Sequence, residues 1–571
     1  MKTRYEYSAW SKEDLVTHIT KIGKQRKYGL VWDEERVLEQ FDIESIDSFP
    51  VLTEISKHAV TTNRKEITHI LIEGDNYHAL SVLNYTHEKA IDLIYIDPPY
   101  NRGLRDSNDF RYNDRYVDRE DSFRHSKWLS FMAKRLSLAK TLLKETGAIF
   151  VSIDDNELAQ LRLLMDDIFG DENYKNTIII RRGAKNVQAQ FNTIDKLSSG
   201  YEYILFYSRT PNQRFTKMVK ELEQTKQGAW NNHWRGTNRP TMRYKLLGIT
   251  PKTGQWRWGK ARSLVAMANY KLMHKEIGKK TTKLTQQEID AWFFAKSAEL
   301  GEELDLLRLS VNKKPEHYIP PTDTTLLNDV WFDISPNSTS VLKSIFGKKV
   351  FDNPKPLELI KRISKFADNN AVVLDFFAGS GTTAHALLEM NEEDNGNRQI
   401  ILVTNNENKI CTKVCYPRIK KILKGYKNPR GIKIAGFGNN LKYFQTSFVK
   451  TSRNGDQLKL NITKRCTEML CLKQSVYELV KEYSEHREPV WKIFSSPNKY
   501  MAIYYDFPGK PLESLRTEMN KIKGTKILYC FTTHSSGLFG YDFIDWENVQ
   551  VEPIPQKILE VFRRIGKESK K

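Results

Sequence analysis

Asp97-Pro98-Pro99-Tyr100 follows directly on the apolar run 91–96, so these four residues are expected at the carboxyl end of a strand, where open α/β sheets bind ligands. Two consecutive prolines fix φ and remove two amide donors, which leaves carbonyls free to point outward. The Asp97 carboxylate and the Pro98 carbonyl then form two acceptors suited to an amino group with two hydrogens to donate, and Tyr100 offers a face on which a flat ring can stack. Such a site needs no covalent nucleophile. Drawing electron density toward the amino nitrogen lets it attack a sulfonium methyl group in line, and positioning does most of the work. An ordinary Pro-Pro turn carries the same residues, so the motif takes its meaning from what accompanies it.

What accompanies it is Val373-Leu374-Asp375-Phe376-Phe377-Ala378-Gly379-Ser380-Gly381-Thr382-Thr383, an apolar strand running into a glycine-rich turn that opens a helix. Gly379 and Gly381 let the backbone approach a ligand closely, and a helix amino terminus favours a carboxylate or phosphate. The segment is neither GxGxxG nor a P-loop, since no Gly-Lys-Ser/Thr follows, so nucleotide phosphate binding is not indicated. At the end of the next strand Asn405 and Glu407 stand where an amide or acidic group would meet ribose hydroxyls, by analogy with dinucleotide folds.

Short β-rich runs alternating with amphipathic helices surround both motifs. Strands are expected at 69–74, 91–97 and 148–154, and helices at 77–85, 122–144 (stopped by Gly147) and 156–169, the last with Leu158, Leu161, Leu164, Met165 and Ile168 on one face. Two further strands, TIIIRR and YEYILFYS, fall within 177–207; after a long interruption the alternation resumes with a helix at 356–366, the strand AVVLDFF, a helix at 382–390 and the strand RQIILVTNN. That alternation predicts a mostly parallel sheet with helices on both faces. A chain of 571 residues exceeds what one core supports. The expected divisions are an N-terminal helical extension with a linker (1–55, helix at 15–27), one half of the α/β core (56–210), an inserted module (211–330), the second half (331–438) and a C-terminal α+β domain (439–571).

The formal net charge of +20 suggests a polyanionic partner, and its distribution is sharper: residues 211–280 hold 16 Lys and Arg against three Glu and no Asp. Within them Trp230, Trp234, Trp256 and Trp258 interleave with Arg235, Arg239, Arg243, Arg257 and Arg262, a composition suited to phosphate contact and base stacking. A second basic run, 413–433, carries eight Lys and Arg and no acid, but Ile419, Ile422 and Leu423 share a stripe, so a solvated amphipathic helix explains it as well as nucleic-acid contact does. No apolar window is long enough to span a bilayer, and the charged start MKTRYEYSAWSKEDL lacks a signal peptide's apolar centre, so a cytoplasmic protein is expected. Cys411, Cys415, Cys466, Cys471 and Cys530 are spaced wrongly for zinc knuckles and read as buried free thiols. Helix capping by Asp155 explains Asp154 and Asp155 better than a metal site, and His125 and His385 read as structural.

DPPY followed much later by DFFAGSGTT resembles the beta class of amino-group DNA methyltransferases, in which the catalytic motif precedes the cofactor motif, and within it the modification subunits of type III restriction-modification systems. The likeness runs from about residue 25 to 435, through YGLVW, LIEGDNYHAL, YIDPPYN, IFVSIDDNELAQLRLLMDDIFG, YEYILFYS, FDNPKP and DFFAGSGTTAHA. It implies a Rossmann-like S-adenosylmethionine-dependent methyltransferase sheet. It further implies that Asp97 to Tyr100 hold an extruded base, that Asp375 to Thr383 line the cofactor's methionine end, that Asp75, Lys355 and Pro356 belong to the cofactor site, and that the basic insert is a target recognition domain on double-stranded DNA. A homodimer and a helicase-nuclease restriction subunit as partner are likewise implied. In that family Asp at the first motif position leans toward adenine N6 and Ser toward cytosine N4, so Asp97 favours adenine with the cytosine amino group as the alternative. Ring-carbon methylation needs a cysteine after a proline, and none of the five is so placed. A catalytically idle DNA-binding specificity subunit and an RNA methyltransferase stay open as further readings.

Overall fold

The computed structural model describes residues 48–568 except 64–65, 104–109, 113–114, 184–196, 198, 280–283, 337, 451, 453, 498, 506–511, 533–542, 544–545 and 547, together with a few positions between 11 and 32. The helix expected at 15–27 lies largely outside the described residues. The chain divides into two compact units, Met1–Phe215 with Asp329–Lys571, and Thr216–Asn328.

The larger unit is organised by ten strands: β1 (Ser48–Glu54), β2 (Thr68–Glu73), β3 (Ile91–Ile96), β4 (Leu143–Ile153), β5 (Tyr174–Arg181), β6 (Tyr201–Ser208), β7 (Val330–Trp331), β8 (Val372–Asp375), β9 (Gln399–Thr404) and β10 (Asn440–Lys450). They form one sheet in the order β1-β10-β2-β9-β8-β3-β4-β6-β5-β7. From β10 to β4 every neighbour is parallel. β6 runs antiparallel to both β4 and β5, and β1 antiparallel to β10. The helices α1 (Asn76–Thr86), α2 (Arg124–Leu142) and α3 (Leu158–Phe169) pack in sequence on one another, as do α4 (Leu357–Ser364), α5 (Thr382–Asp394) and α6 (Tyr416–Lys424), and helices cover both sheet faces. Burial on both faces explains why β3 and β9 are near-continuous apolar runs rather than alternating ones.

The structure departs from the sequence reading at two edges. Gly147 does not separate helix from strand: α2 passes directly into β4, whose pairing with β3 shifts between Leu143 and Ala148. A Cβ at Gly147 would lie 3.1 Å from the Ile91 carbonyl, so the glycine lets the bulged strand stay against its neighbour. The boundary at 438/439 is also overturned, because β10 threads between β1 and β2 as a full member of the sheet. Beyond it lie two helices (Gly455–Arg465 and Thr467–Gln474) and a five-stranded sheet with helices Leu512–Asn520 and Gln556–Glu568. Ile462, Met469 and Phe562 there join the same apolar cluster as Leu80 and Leu83 of α1.

The smaller unit holds helices Lys260–Ile277 and Gln286–Leu300 and small sheets, around two apolar clusters that include Phe293 with Tyr318 and Trp256 with Leu246.

Candidate active site

Because β8 pairs in parallel with β3, Asp375 and Asp97 leave the sheet at the same carboxyl edge. Asn101, at φ 54, turns the chain after Tyr100 through a left-handed conformation that asparagine tolerates better than most residues, and its amide bonds Glu157. Trp128 of α2 donates its indole N–H to the Pro99 carbonyl at 2.7 Å. Among the described residues no donor engages the Pro98 carbonyl or the Asp97 Oδ2 atom, so the two acceptors expected from the sequence are open.

Asp97 Oδ1 is held. The Tyr100 hydroxyl donates to it at 2.8 Å and the Lys355 ammonium lies 3.2 Å away. The same ammonium is 2.7 Å from the Tyr100 oxygen and 2.6 Å from Glu202 Oε2, and at 5.1 Å from the Tyr100 ring centroid it lies beyond the hydroxyl end of the ring, leaving the faces uncovered by it. Glu202 also accepts from Tyr100 at 3.1 Å, and its other oxygen faces Arg182 at 3.4 Å. Burial raises the Asp97 pKa and Lys355 pulls it back; for Glu202 the ammonium prevails and the pKa is lowered. Lys355, expected in the cofactor site, is thus a partner of the DPPY motif.

The glycine-rich turn is built from below. Asp375 is buried, accepting from the Phe377 amide at 3.0 Å and the Thr383 hydroxyl at 2.5 Å, and burial pushes its pKa up to about 7. Gly381 has φ 76, and a Cβ there would sit 3.1 Å from Cys415 Sγ on the neighbouring helical segment. Arg418, fully buried on α6, donates to the Ser380 carbonyl and hydroxyl and to Thr382, and its other arm reaches His385. The basic run 413–433 therefore sends its one buried arginine inward to the loop, while Ile419, Ile422 and Leu423 fill the core. Asp75 caps α1 through the Tyr77 amide and meets Arg135 at 3.2 Å; Arg135 also bonds Asn76, whose amide reaches the Phe376 carbonyl at 3.1 Å.

One cavity of about 990 Å³ collects these groups. Asp75, Asp97, Pro98, Pro99, Tyr100, Lys355, Pro356, Asp375, Phe376, Phe377, Ala378, Gly379, Ser380, Thr382, Thr383, Asn405 and Glu407 line it; Gly381 does not, serving the turn from behind. Glu407 is engaged in an ion pair with Arg111. Sequence reasoning missed Glu202, Arg182, Arg135, Asn76 and Arg418. One further assignment needs correction: Asp154, not Asp155, receives the Asn156 amide, and Asp155 instead takes hydroxyls from Ser199 and Tyr203. Neither caps α3.

Within the smaller unit the Trp/Arg cluster splits. Trp234, Arg235, Arg239 and Arg257 are exposed. Trp256 is 2% exposed with its N–H on the Tyr244 carbonyl, and Trp258 packs on His233 and His317, so both serve packing rather than an open stacking platform. Arg243 spends donors on the Gly254 carbonyl and Asn238 while keeping its charge, and Arg262 is paired with Asp305 at 2.6 Å, which offsets the charge it offers a polyanion.

Comparison with known proteins bears on this arrangement directly: residues 91–415, from the first residue of β3 to the helical segment under the glycine-rich loop, match the N6/N4 methyltransferase family described as DNA methylase. The chain belongs to the DNA methylase family. The type III restriction-modification enzyme StyLTI Mod subunit of Salmonella typhimurium is 33% identical over 420 residues, covering 66% of this chain and 59% of that protein. The type II methyltransferase M.KpnI of Klebsiella pneumoniae is 32% identical over 369 residues, covering 60% of this chain and 82% of that protein. A putative DNA modification methylase of Thermus thermophilus, solved with S-adenosyl-L-methionine, aligns over 62% of this chain and 94% of its own at 15% identity with a TM-score of 0.29, too remote to argue from. As a DNA methylase the chain has both family motifs on one cavity wall, and the match spans the smaller unit as well.

Proposed function

We propose that this DNA methylase transfers a methyl group from S-adenosylmethionine to the N6 amino group of an adenine flipped out of double-stranded DNA, as the modification subunit of a restriction-modification or related phage-defence system. The reading rests on one observation: Asp97, Pro98 and Tyr100 line the same cavity as the loop from Asp375 to Thr383. The lining suits the cofactor. Asp75 and Asp375 place carboxyl groups on it, Phe131 and Phe377 offer apolar faces, and a Cβ at Gly379 would meet nothing nearer than the Phe351 ring at 3.7 Å, so the loop leaves space there.

When bound, the cofactor supplies an electrophilic methyl carbon on a sulfonium. Asp97 Oδ2 and the Pro98 carbonyl accept the two amino hydrogens and orient the nitrogen lone pair. The ring of Tyr100, whose hydroxyl Lys355 holds, offers a face on which the base stacks. As the nitrogen–carbon bond forms and the carbon–sulfur bond breaks, the amino group sheds one proton toward Asp97, whose pKa burial has raised. Flipping is required because the amino group is paired inside the duplex. Trp234, Arg235, Arg239 and Arg257 supply exposed aromatic and cationic surface for DNA. The name of the Salmonella relative, a Mod subunit of a type III restriction-modification enzyme, supports a restriction subunit as partner, which the reading takes to be a helicase-nuclease, and a homodimer in the cytoplasm completes the reading. No helix among the described residues is long and apolar enough to cross a membrane.

The test is incubation with tritiated S-adenosylmethionine and unmethylated genomic DNA beside Asp97→Ala, followed by nucleoside analysis. Label in N6-methyladenine, absent with the variant, is the expected result. Label in N4-methylcytosine would reassign the base, and no label despite DNA binding would favour an idle specificity subunit.

A further inference from the structure

Glu202 belongs to no motif singled out in the sequence, yet it is 14% exposed at the carboxyl edge of the sheet. It arrives there because β6 runs antiparallel to β4: the first residues of β6 pair with the last of β4, Tyr203 opposite Ile153. The charged and titratable groups facing it are Lys355 from the segment before α4, Tyr100 and Asp97 from the turn after β3, Arg182 from the end of β5, and Asp154 from the end of β4.

Lys355 is 13% exposed, so its ammonium must be satisfied inside the pocket. Among the described residues the carboxylates within 4 Å of it are Asp97 and Glu202. The contact with Glu202 is the shorter, 2.6 Å against 3.2 Å. Were Glu202 uncharged, the ammonium would turn wholly to Asp97 and bridge both of its oxygens, occupying Oδ2, and Tyr100 would lose one of the two carboxylates that fix its hydroxyl. We propose that Glu202 is a positioning residue for methyl transfer: it holds Lys355 and Tyr100 to one oxygen of Asp97 and keeps the other open for the amino group. The proposal rests on the reading that Asp97 receives that group.

Glu202→Gln and Glu202→Asp are compared with wild type in single-turnover methyl transfer across pH, with cofactor affinity and thermal melting checking the fold. With Glu202→Gln the plateau rate is expected to fall about 10- to 100-fold while cofactor affinity stays within about threefold, the loss a displaced reactant gives. Removing a nearby negative charge and freeing the ammonium both favour ionised Asp97, so the acid limb moves down by about 0.5–2 units. Glu202→Asp recovers part of the rate. An unchanged plateau and limb in a folded variant would overturn the proposal, as would a lost rate with the limb unmoved. If Asp97→Ala still methylates, the underlying reading fails; if Asp97→Ala is inactive and Glu202→Gln behaves as wild type, only this inference does.

Discussion

Replacing Lys355 by methionine keeps an unbranched side chain, one atom shorter, and removes its charge from between two carboxylates. The ammonium lies 3.2 Å from Asp97 Oδ1. At an effective dielectric of about 20 a unit pair at that distance interacts by about 5 kcal/mol, and in bulk water by about 1.3, so at about 1.36 kcal/mol per unit the carboxyl pKa rises by about 1–4 units. Pairs of this kind in proteins shift a carboxyl by about 1–3 units. Ionised Asp97 accepts the amino hydrogen and the protonated acid does not, so activity appears as pH rises through its pKa. Lys355→Met should therefore carry the acid limb upward by about 1–3 units, opposite in sign to Glu202→Gln. Single-turnover transfer of tritiated methyl groups between pH 5 and pH 10 measures it. Asp375, raised by burial to about 7, titrates in the same window, so the difference from wild type is the quantity to read. A limb that stays in place while the plateau falls would refute the electrostatic argument and leave Lys355 a purely steric part.

Two other consequences lie outside that network. Glu157 is fully buried beside Asn101 and His125, and burial raises its pKa to about 8. Because its folded pKa lies above its unfolded one, stability falls as pH climbs through that interval, by at most about 5 kcal/mol at about 1.36 per unit; Glu157→Gln should be more stable than wild type in urea melts at pH 8, with the gap closing at pH 5, and an equal gap at both would refute it. Trp256→Ala should lower the melting temperature by removing a core ring, a loss of about 3–5 kcal/mol, whereas Trp234→Ala, which gives up a partly exposed ring and its hydrogen bond to the Thr253 carbonyl, should lower it less and weaken DNA binding in a filter or anisotropy assay.

Both chemical motifs were legible because each is local: a strand, its ending turn and its special residues are consecutive in the chain. The contacts of Lys355 with the DPPY motif were not legible because nothing near it in the chain reveals its partners; Tyr100 is 255 positions away. Glu202 was read as an ordinary strand residue, since a β-rich run does not disclose that its strand is antiparallel and delivers its first residues to the carboxyl edge. Arg418 shows the same limit, a cation in a basic run that the fold spends beneath a loop. Trp234 and Trp256 pair directly across two short strands, yet one is 40% exposed and the other 2%. The Trp234 ring lies over Gly254, where an added Cβ would be 2.5 Å from the indole nitrogen, and composition carries no trace of that.

The separation of the two motifs, DPPY first and the glycine-rich one second, has no bearing on how they meet. What matters is that β3 and β8 are parallel neighbours, with Val373 opposite Leu93 and Leu374 opposite Ile94. Register brings their ends to one level, so Asp97 and Asp375 face one cavity whichever strand is made first. Parallel neighbours cannot be joined by a short turn, and here the connection is long enough to hold an entire second unit between them. The sheet tolerates this because its pairing is satisfied by the strands themselves, while loop closure grows only slowly with length. The insertion after β6 thus leaves the pairing of β3 with β8, and with it the meeting of Asp97 and Asp375 at one cavity, to the strands of the larger unit alone.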